Sequence, residues 1–172
     1  MGRKAAARTV QVLLALGAGL MLAAADDKGE RPTPSGLPVP RYVSLKFDEV
    51  NARAGPGDDY KALWVYHAKG LPVQVVAETS DWRRICDPEG GLAWVHKRTT
   101  DGRRMVIRMQ DGDMPIRRKP RDEAKVTAYL RSRALAGLDR CDKGWCKIRA
   151  GGAAGWAKEV DLWGVVETPQ CR

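Results

Sequence analysis

The sequence predicts an all-β protein made of two small barrels in tandem, which follow a cleaved signal peptide. Three observations favour this fold class: an internal repeat with an offset near 63 residues, strand-like periodicity within each copy, and a signal-type N-terminus. After residue 25, no segment sustains helical periodicity over the roughly 10 to 12 residues that a globular helix usually needs. Several short strands in each copy are typical of a small barrel or sandwich.

The first 25 residues have the three parts of a secretory signal peptide. Three basic residues precede an apolar run, and the run is followed by small residues: Arg3, Lys4 and Arg8, then 10–22, then Ala23, Ala24 and Ala25. The apolar run is short, since a helix needs roughly 20 residues to cross a bilayer. We therefore expect export and cleavage after Ala25, with a periplasmic or wall-associated location. Retention as a membrane anchor is the alternative.

Residues 26–40 contain four prolines and two glycines and offer little to bury. This composition predicts a flexible or polyproline-like linker. The proline spacing also suits a ligand for the groove of a recognition domain, an alternative that the sequence leaves open.

Removal of residues 1–25 lowers the formal net charge from +9 to +6 on the remaining 147 residues. An exported basic protein meets anionic wall polymers and carboxylated peptides rather than nucleic acid. The same charge is equally typical of a solvated surface that keeps a protein soluble.

An internal repeat organises the rest of the chain. Trp82 and Ile85 recur as Trp145 and Ile148 at the same internal spacing. Four further anchors recur at offsets between 62 and 64: Arg53 with Arg117, Pro56 with Pro120, Trp94 with Trp156, and Gly102 with Gly164. We therefore expect one module over residues 41–103, a second over 104–166, almost no linker between them, and a tail over 167–172.

Within the modules the periodicity is that of strands. In the segment 71–78, Val73, Val75 and Ala77 alternate with Pro72, Gln74 and Val76, and Ala136 and Leu138 keep the phase in the second copy. Five more strands are expected over 42–46, 50–53, 62–67, 82–86 and 92–96. Residues 123–138 have local helical character, but the repeat register places strands there.

These residues carry a family resemblance. The stretch VNARAGPGDDY at 50–60, then DWRRI at 81–85 and GGLAWVH at 90–96, is similar to a bacterial SH3-like domain. The second copy is a weaker match because its first turn, at 117–121, lacks both glycines. The resemblance implies two SH3-like barrels and a role in binding cell wall or peptide, often as a targeting module, and it does not itself imply catalysis.

The four cysteines follow the signal sequence, so oxidation is their expected fate. If Lys143 and Gly144 form a two-residue hairpin turn, Cys141 lies directly opposite Cys146, close enough for a disulfide. Cys86 and Cys171 remain, and only parity favours their pairing. The repeat maps Cys141 and Cys146 onto Glu78 and Arg83, which predicts an exposed ion pair in the first copy. A zinc site is the alternative for the cysteines, but no second ligand pair has the required spacing.

A catalytic site is not expected. Wall peptidases use Cys and His, yet after two modules of about 60 residues the chain leaves no room for a peptidase domain. Cys86 is predicted within a strand, away from any helix N-terminus that would lower its pKa, and His67 and His96 are expected on strand surfaces. We therefore predict no enzyme activity, no metal and no cofactor.

Binding is the better case, because Trp and Tyr suit half-exposed positions. If the SH3-like fold holds, the aromatic groove is formed by Tyr60, Trp64 and Tyr66, near Asp58 and Asp59, and the two carboxylates meet an amine of the ligand. The same rings could instead complete very small cores, which is the role expected of Trp94 and Trp156. The predicted partner is peptidoglycan or its stem peptides, with an envelope protein-protein adaptor as the alternative and a wall hydrolase as a weaker third hypothesis.

Overall fold

The computed structural model describes residues 2, 33–166 and 168–171. Apart from Gly2, the predicted signal peptide therefore lies outside the described residues. Within those ranges, no helix has the length and apolar character needed to span a membrane.

Two antiparallel sheets correspond to the two copies of the repeat. The first has seven strands: β1 (Arg41–Leu45), β2 (Val50–Arg53), β3 (Ala62–Tyr66), β4 (Pro72–Glu78), β5 (Trp82–Cys86), β6 (Leu92–His96) and β7 (Thr100–Asp101). The second has six: β8 (Met105–Ile107), β9 (Met114–Arg117), β10 (Val126–Leu130), β11 (Leu135–Asp142), β12 (Trp145–Ala150) and β13 (Ala153–Lys158). Short 3-10 turns at Lys97–Thr99 and Glu159–Asp161 follow β6 and β13.

The two sheets share one strand order. The first runs β3-β2-β6-β5-β4-β1-β7 and the second runs β10-β9-β13-β12-β11-β8, so each strand of the second copy has a counterpart in the first. The prediction of an all-β chain with a repeated module is confirmed. The segment 123–138 forms β10 and β11 rather than a helix, as the repeat register required.

Each copy has its own apolar core. Val50, Val73, Val75, Ile85 and Val95 are fully or almost fully buried in the first, and the second is centred on Met114, Ile116, Ala136, Ile148 and Ala157. Trp94 and Trp156 belong to neither core, contrary to the role expected for them. They are half-buried because each lies on the opposite face of its strand from the buried Val95 or Ala157.

Residues 33–40 contact the first barrel and do not run free of it. Val39 packs against the core, and the Ser35 backbone N–H donates to Oε1 of Glu78 over 3.1 Å. The sequence suggested a flexible linker because it offered few apolar groups. The contact relies instead on a buried carboxylate that the sequence pattern did not reveal.

The segment after the second barrel also returns to the first. Gln74, which alternates with the core valines of β4, is fully buried. Its side-chain amide donates to the carbonyl of Thr168 over 2.9 Å and accepts from the backbone N–H of Gln170 over 2.9 Å. Cys171 then forms a disulfide with Cys86, whose backbone pairs with Gln74. The tail therefore covers the outer face of β4 and β5.

The two barrels touch along a short junction. The rings of Tyr42 and Trp163 pack edge to face, with centroids 5.2 Å apart, and the hydroxyl of Ser44 donates to the carbonyl of Arg103 over 2.7 Å. Only Gly102, Arg103 and Arg104 separate β7 from β8. These contacts fix the position from which the second copy reaches the candidate site.

Candidate functional site

The turn between β2 and β3 carries three of the predicted groove residues, Asp58, Asp59 and Tyr60. Tyr60 lies flat over Gly55, where a Cβ would approach its Cδ1 to 2.2 Å. Arg53 donates to the Tyr60 carbonyl over 2.8 Å and lies 3.5 Å from the exposed carboxylate of Asp58. Gly55 does not have a positive φ, so its backbone conformation does not require glycine. Glycine is needed here because a side chain would collide with the Tyr60 ring.

The second copy builds the same turn without glycines. Arg117 donates to the Ala124 carbonyl over 2.9 Å, as Arg53 does to Tyr60, and the turn hydrogen bonds recur at offset 64. Ala124 replaces the tyrosine, so no ring covers position 119 and a lysine fits there. The lysine in place of glycine at position 119 thus reflects a missing ring and not a different turn.

Strand β3 presents the exposed aromatic face of the first copy. This strand lies at the edge of its sheet, and its residues from Leu63 to Val65 are 36% to 44% exposed. Native proteins usually avoid such exposed apolar residues on an edge strand. Trp64 packs edge to face on Tyr66, with centroids 5.9 Å apart. The counterparts of Trp64 and Tyr66 in β10 are Ala128 and Leu130. Only the first copy therefore has this aromatic pair.

The segment Asp87–Gly91, which we call the rim segment, supplies the polar groups beside these rings. The buried carboxylate of Asp87 accepts from the backbone N–H groups of Glu89 (2.9 Å) and Gly91 (2.8 Å). Its other oxygen accepts the hydroxyl of Tyr66 over 2.9 Å. Burial and the neighbouring Asp87 carboxylate raise the pKa of Tyr66, so the phenol stays a hydrogen-bond donor. Asp87 thus locks the segment onto β3.

Two cavities flank Tyr66 and the rim segment. The outer cavity, of about 440 Å³, lies along β3 and is lined by Trp64, Val65, Tyr66, His67, Asp87, Glu89 and Gly91. The junction cavity, of about 170 Å³, lies between the barrels and is lined by Tyr66, Ala68, Leu71, Asp87, Pro88, Glu89, Ile107, Met109 and Arg133. The two cavities adjoin at Tyr66, Asp87 and Glu89, which line both, and we call the pair of adjoining cavities the groove.

The structure brings Trp64 and Tyr66 together in this groove, and it places Asp58, Asp59 and Tyr60 in the preceding turn, where they line neither cavity. The acidic groups beside the two rings are instead Asp87 and Glu89. Sequence reasoning missed them, although a signal was available. The first copy has five residues between β5 and β6, whereas the second turns through only Gly151 and Gly152.

Arg133 enters the site from the second copy with a strained backbone. Its φ is +60°, and its counterpart in the first copy, by matching turn hydrogen bonds, is Gly70 with φ of +83°. A left-handed conformation costs a non-glycine residue about 1–2 kcal/mol. Its side chain forms an ion pair with Glu89, with both side chains 64% exposed, and such a pair contributes about 0–1 kcal/mol. The contact does not offset the strain.

Among the described residues, the cysteine and histidine considered for catalysis, Cys86 and His96, do not form a catalytic pair. Cys86 is buried in its disulfide. It lies at the end of β5, whereas His96 pairs with Trp82 at the beginning of that strand. Nδ1 of His96 accepts the backbone N–H of Arg98. Within the described ranges, no group of three or more His, Cys, Asp or Glu side chains could hold a metal.

The second disulfide joins Cys141 to Cys146, which are direct partners of β11 and β12, with Cα atoms 4.0 Å apart. The connecting turn has positive φ at Lys143 (+48°) and Gly144 (+78°), as a two-residue hairpin turn of the primed type requires.

Glu78 and Arg83 occupy the equivalent register positions in the first copy, 3.8 Å apart. The sequence analysis predicted that this ion pair is exposed, and that prediction was wrong. The Glu78 side chain is only 2% exposed. Burial alone would raise the pKa of Glu78, but hydrogen bonds from Arg41 and Ser35 outweigh it and lower that pKa to about 2. Glu78 therefore remains ionised and joins the segment 33–40 to the barrel.

Known proteins share the repeated part of the chain. The sequence model of the bacterial SH3 domain matches residues 46–102 and 110–164, more than half of the chain. A curated relative from Bacillus subtilis (strain 168), "Putative N-acetylmuramoyl-L-alanine amidase YrvJ", is 27% identical over an aligned length of 122 residues, and the match covers 65% of this chain and 23% of that protein.

Two solved structures from Trichomonas vaginalis, NlpC1 and NlpC2, are each 13% identical, with TM-scores of 0.32 and 0.33. Each of the two matches covers 72% of this chain. The matched part is 45% of the NlpC1 chain and 48% of the NlpC2 chain. The chain thus spans less than half the length of these three proteins.

Proposed function

Because the chain belongs to the bacterial SH3 domain family, we propose that it is a non-catalytic protein of the cell envelope that binds peptidoglycan or its stem peptides. The observation that carries this proposal is the groove of the first copy, where half-exposed Trp64 and the ring of Tyr66 lie beside Asp87 and Glu89. Rings suit the faces of sugars and peptide planes. The acidic groups suit an ammonium group or the N–H groups of a peptide.

The two copies have different proposed roles in binding. The first has the aromatic face and the rim segment, whereas the second has neither, since Ala128 and Leu130 replace the rings. The second is the more basic, with 14 basic and eight acidic residues over 104–166, against ten and nine over 41–103. We therefore assign the groove to the first copy and a general attraction to anionic polymer to the second.

The relative named as an amidase supports a wall-associated role. The matched part amounts to 23% of that protein, and here it consists of family modules. The described residues offer no free thiol, because all four cysteines are in disulfides. We therefore propose binding to the wall as the role of the shared part.

An envelope protein-protein adaptor is the second candidate, and one observation favours it. The edge strand β3 exposes Leu63 and Val65 as well as Trp64. An exposed apolar edge can accept an extended peptide as an added strand. A protein partner would then occupy the same strand that borders the groove.

Three measurements on the oxidised protein separate these functions. Wall binding predicts pelleting with purified sacculi, weakened by salt or by masking of wall carboxylates. An adaptor would stay in the supernatant and recover one envelope protein specifically. A hydrolase would lower the turbidity of a sacculus suspension, and that loss would disappear when Cys86 or His96 is replaced.

A further inference from the structure

The junction cavity is a composite feature to which both copies contribute. Leu71 and Pro88 of the first copy face Ile107 and Met109 of the second across a space of about 170 Å³. That is close to an apolar cavity known to hold one benzene molecule, about 150 Å³. It suits one small apolar group, and it is too small for a whole ligand.

Arg133 is the only basic residue that lines this cavity among the described residues. Its backbone is held in the left-handed region where the first copy has Gly70. An exposed ion pair contributes less to stability than this conformation costs. Strain that stability does not explain is typical of functional positions.

The guanidinium of Arg133 has hydrogen-bonding capacity to spare. Within the described part of the chain, its side chain makes one hydrogen bond, from Nη2 to Oε1 of Glu89. A guanidinium has five N–H donors in a planar fork, so Nε and Nη1 remain for a second acceptor. A carboxylate can take two such donors at once.

We propose that the junction cavity binds the C-terminal residue of a peptide, with a small apolar side chain inside it and the free carboxylate on Arg133. The rest of the peptide would run past Tyr66 and the rim segment into the outer cavity, which shares those residues. This inference rests on the proposed function and deepens it, because it assigns the peptide's direction and its terminal group. It also gives the second copy a specific role in binding.

The test uses two synthetic stem tetrapeptides that end in D-alanine, one with a free C-terminal carboxylate and one with a carboxamide. Isothermal titration of the oxidised protein measures both affinities. We expect the acid to bind about tenfold more tightly, the scale of one charge-assisted contact, and Arg133→Gln to bring the two affinities together. Arg131→Gln is the matched control, because Arg131 is exposed in the same turn and lines neither cavity.

Arg133→Gly separates binding from folding. Glycine accepts the left-handed conformation freely, so this variant should melt no lower than the parent while losing the preference for the acid. Equal affinities for the two peptides in the parent, or an undiminished preference in Arg133→Gln, would overturn the proposal. If neither peptide binds while the protein pellets with sacculi, the junction assignment fails and the wall-binding proposal survives. If pelleting is absent too, both fail.

Discussion

The hydroxyl of Tyr66 donates a 2.9 Å hydrogen bond to Oδ2 of Asp87, and this bond joins β3 to the rim segment between the two cavities. Tyr66 supplies the ring on which Trp64 packs. Asp87 accepts hydrogen bonds from the backbone N–H groups of Glu89 and Gly91. The shape of the groove therefore depends on this pair.

Replacing Tyr66 with Phe tests that dependence. The change keeps the ring but leaves a buried carboxylate oxygen without its donor, so the free energy of unfolding should fall by about 1–3 kcal/mol. Denaturant unfolding of the oxidised protein measures the loss. Tyr129→Phe is the control, because Tyr129 is 62% exposed in the second copy, and we expect its effect to be negligible. Equal stability of the two variants would show that the bond contributes nothing.

The ionised Glu78 predicts a specific acid sensitivity. Its pKa is lowered from 4.5 to about 2 in the folded state. Its contribution is therefore complete above pH 4.5 and is lost as the pH falls towards 2. The shift corresponds to about 3 kcal/mol. Glu78→Gln should remove most of this pH dependence of the unfolding free energy, whereas Glu49→Gln, at a side chain that is 78% exposed, should keep it. An unchanged slope in Glu78→Gln contradicts the account.

The two disulfides should contribute unequally. Cys86–Cys171 closes a loop of 85 residues, and Cys141–Cys146 closes one of five. The chain-entropy estimate gives about 4.5 kcal/mol for the first and about 2 kcal/mol for the second. Replacing both cysteines of each pair with Ser, and comparing the denaturation midpoints, measures the difference. Removal of the first pair should also release the tail from Gln74, seen as faster hydrogen exchange at Gln170. A larger loss from the Cys141–Cys146 pair would reverse this order.

Gly55 and Tyr60 should be energetically coupled. Gly55→Ala alone places a methyl group within the Tyr60 ring, which lies 2.2 Å from the position of that Cβ, and overpacking of this kind costs about 1–3 kcal/mol. In a Tyr60→Ala background the same change should be nearly neutral, because the second copy has alanine at that position with lysine in place of the glycine. A double-mutant cycle measures the coupling. Additive effects would disprove the explanation given for the lysine at position 119.

Much of the fold could be predicted from the sequence, because the strands of one copy indicate where the strands of the other copy lie. The repeat register correctly placed β10 and β11 where local propensity favoured a helix. The two-residue hairpin turn expected at Lys143 and Gly144 correctly set Cys141 opposite Cys146, since the turn determines which residues face each other. The strands predicted over 42–46 and 62–67 end one residue earlier in the structure, at Leu45 and Tyr66. Backbone pairing, rather than the side-chain pattern, decides these boundaries.

The groove was less accessible to sequence reasoning, because its polar part comes from differences between the copies. The rim segment has no counterpart in the two-residue turn of the second copy. Arg133 reaches the site only through the way the barrels meet, which periodicity does not encode. The same holds for Gln74, whose burial depends on a tail more than 90 residues further along the chain.

The central claim is that the first copy holds the wall-binding groove, and sacculus pelleting of matched tryptophan variants tests it most directly. We predict that Trp64→Ala strongly weakens pelleting and leaves only the general attraction of the basic second copy to anionic polymer, which added salt removes. Trp156→Ala, which alters a half-buried tryptophan outside the core of the second copy, should leave pelleting intact. Each variant must first show the unfolding transition of a folded protein. Full pelleting of a folded Trp64→Ala variant would contradict the assignment of the groove.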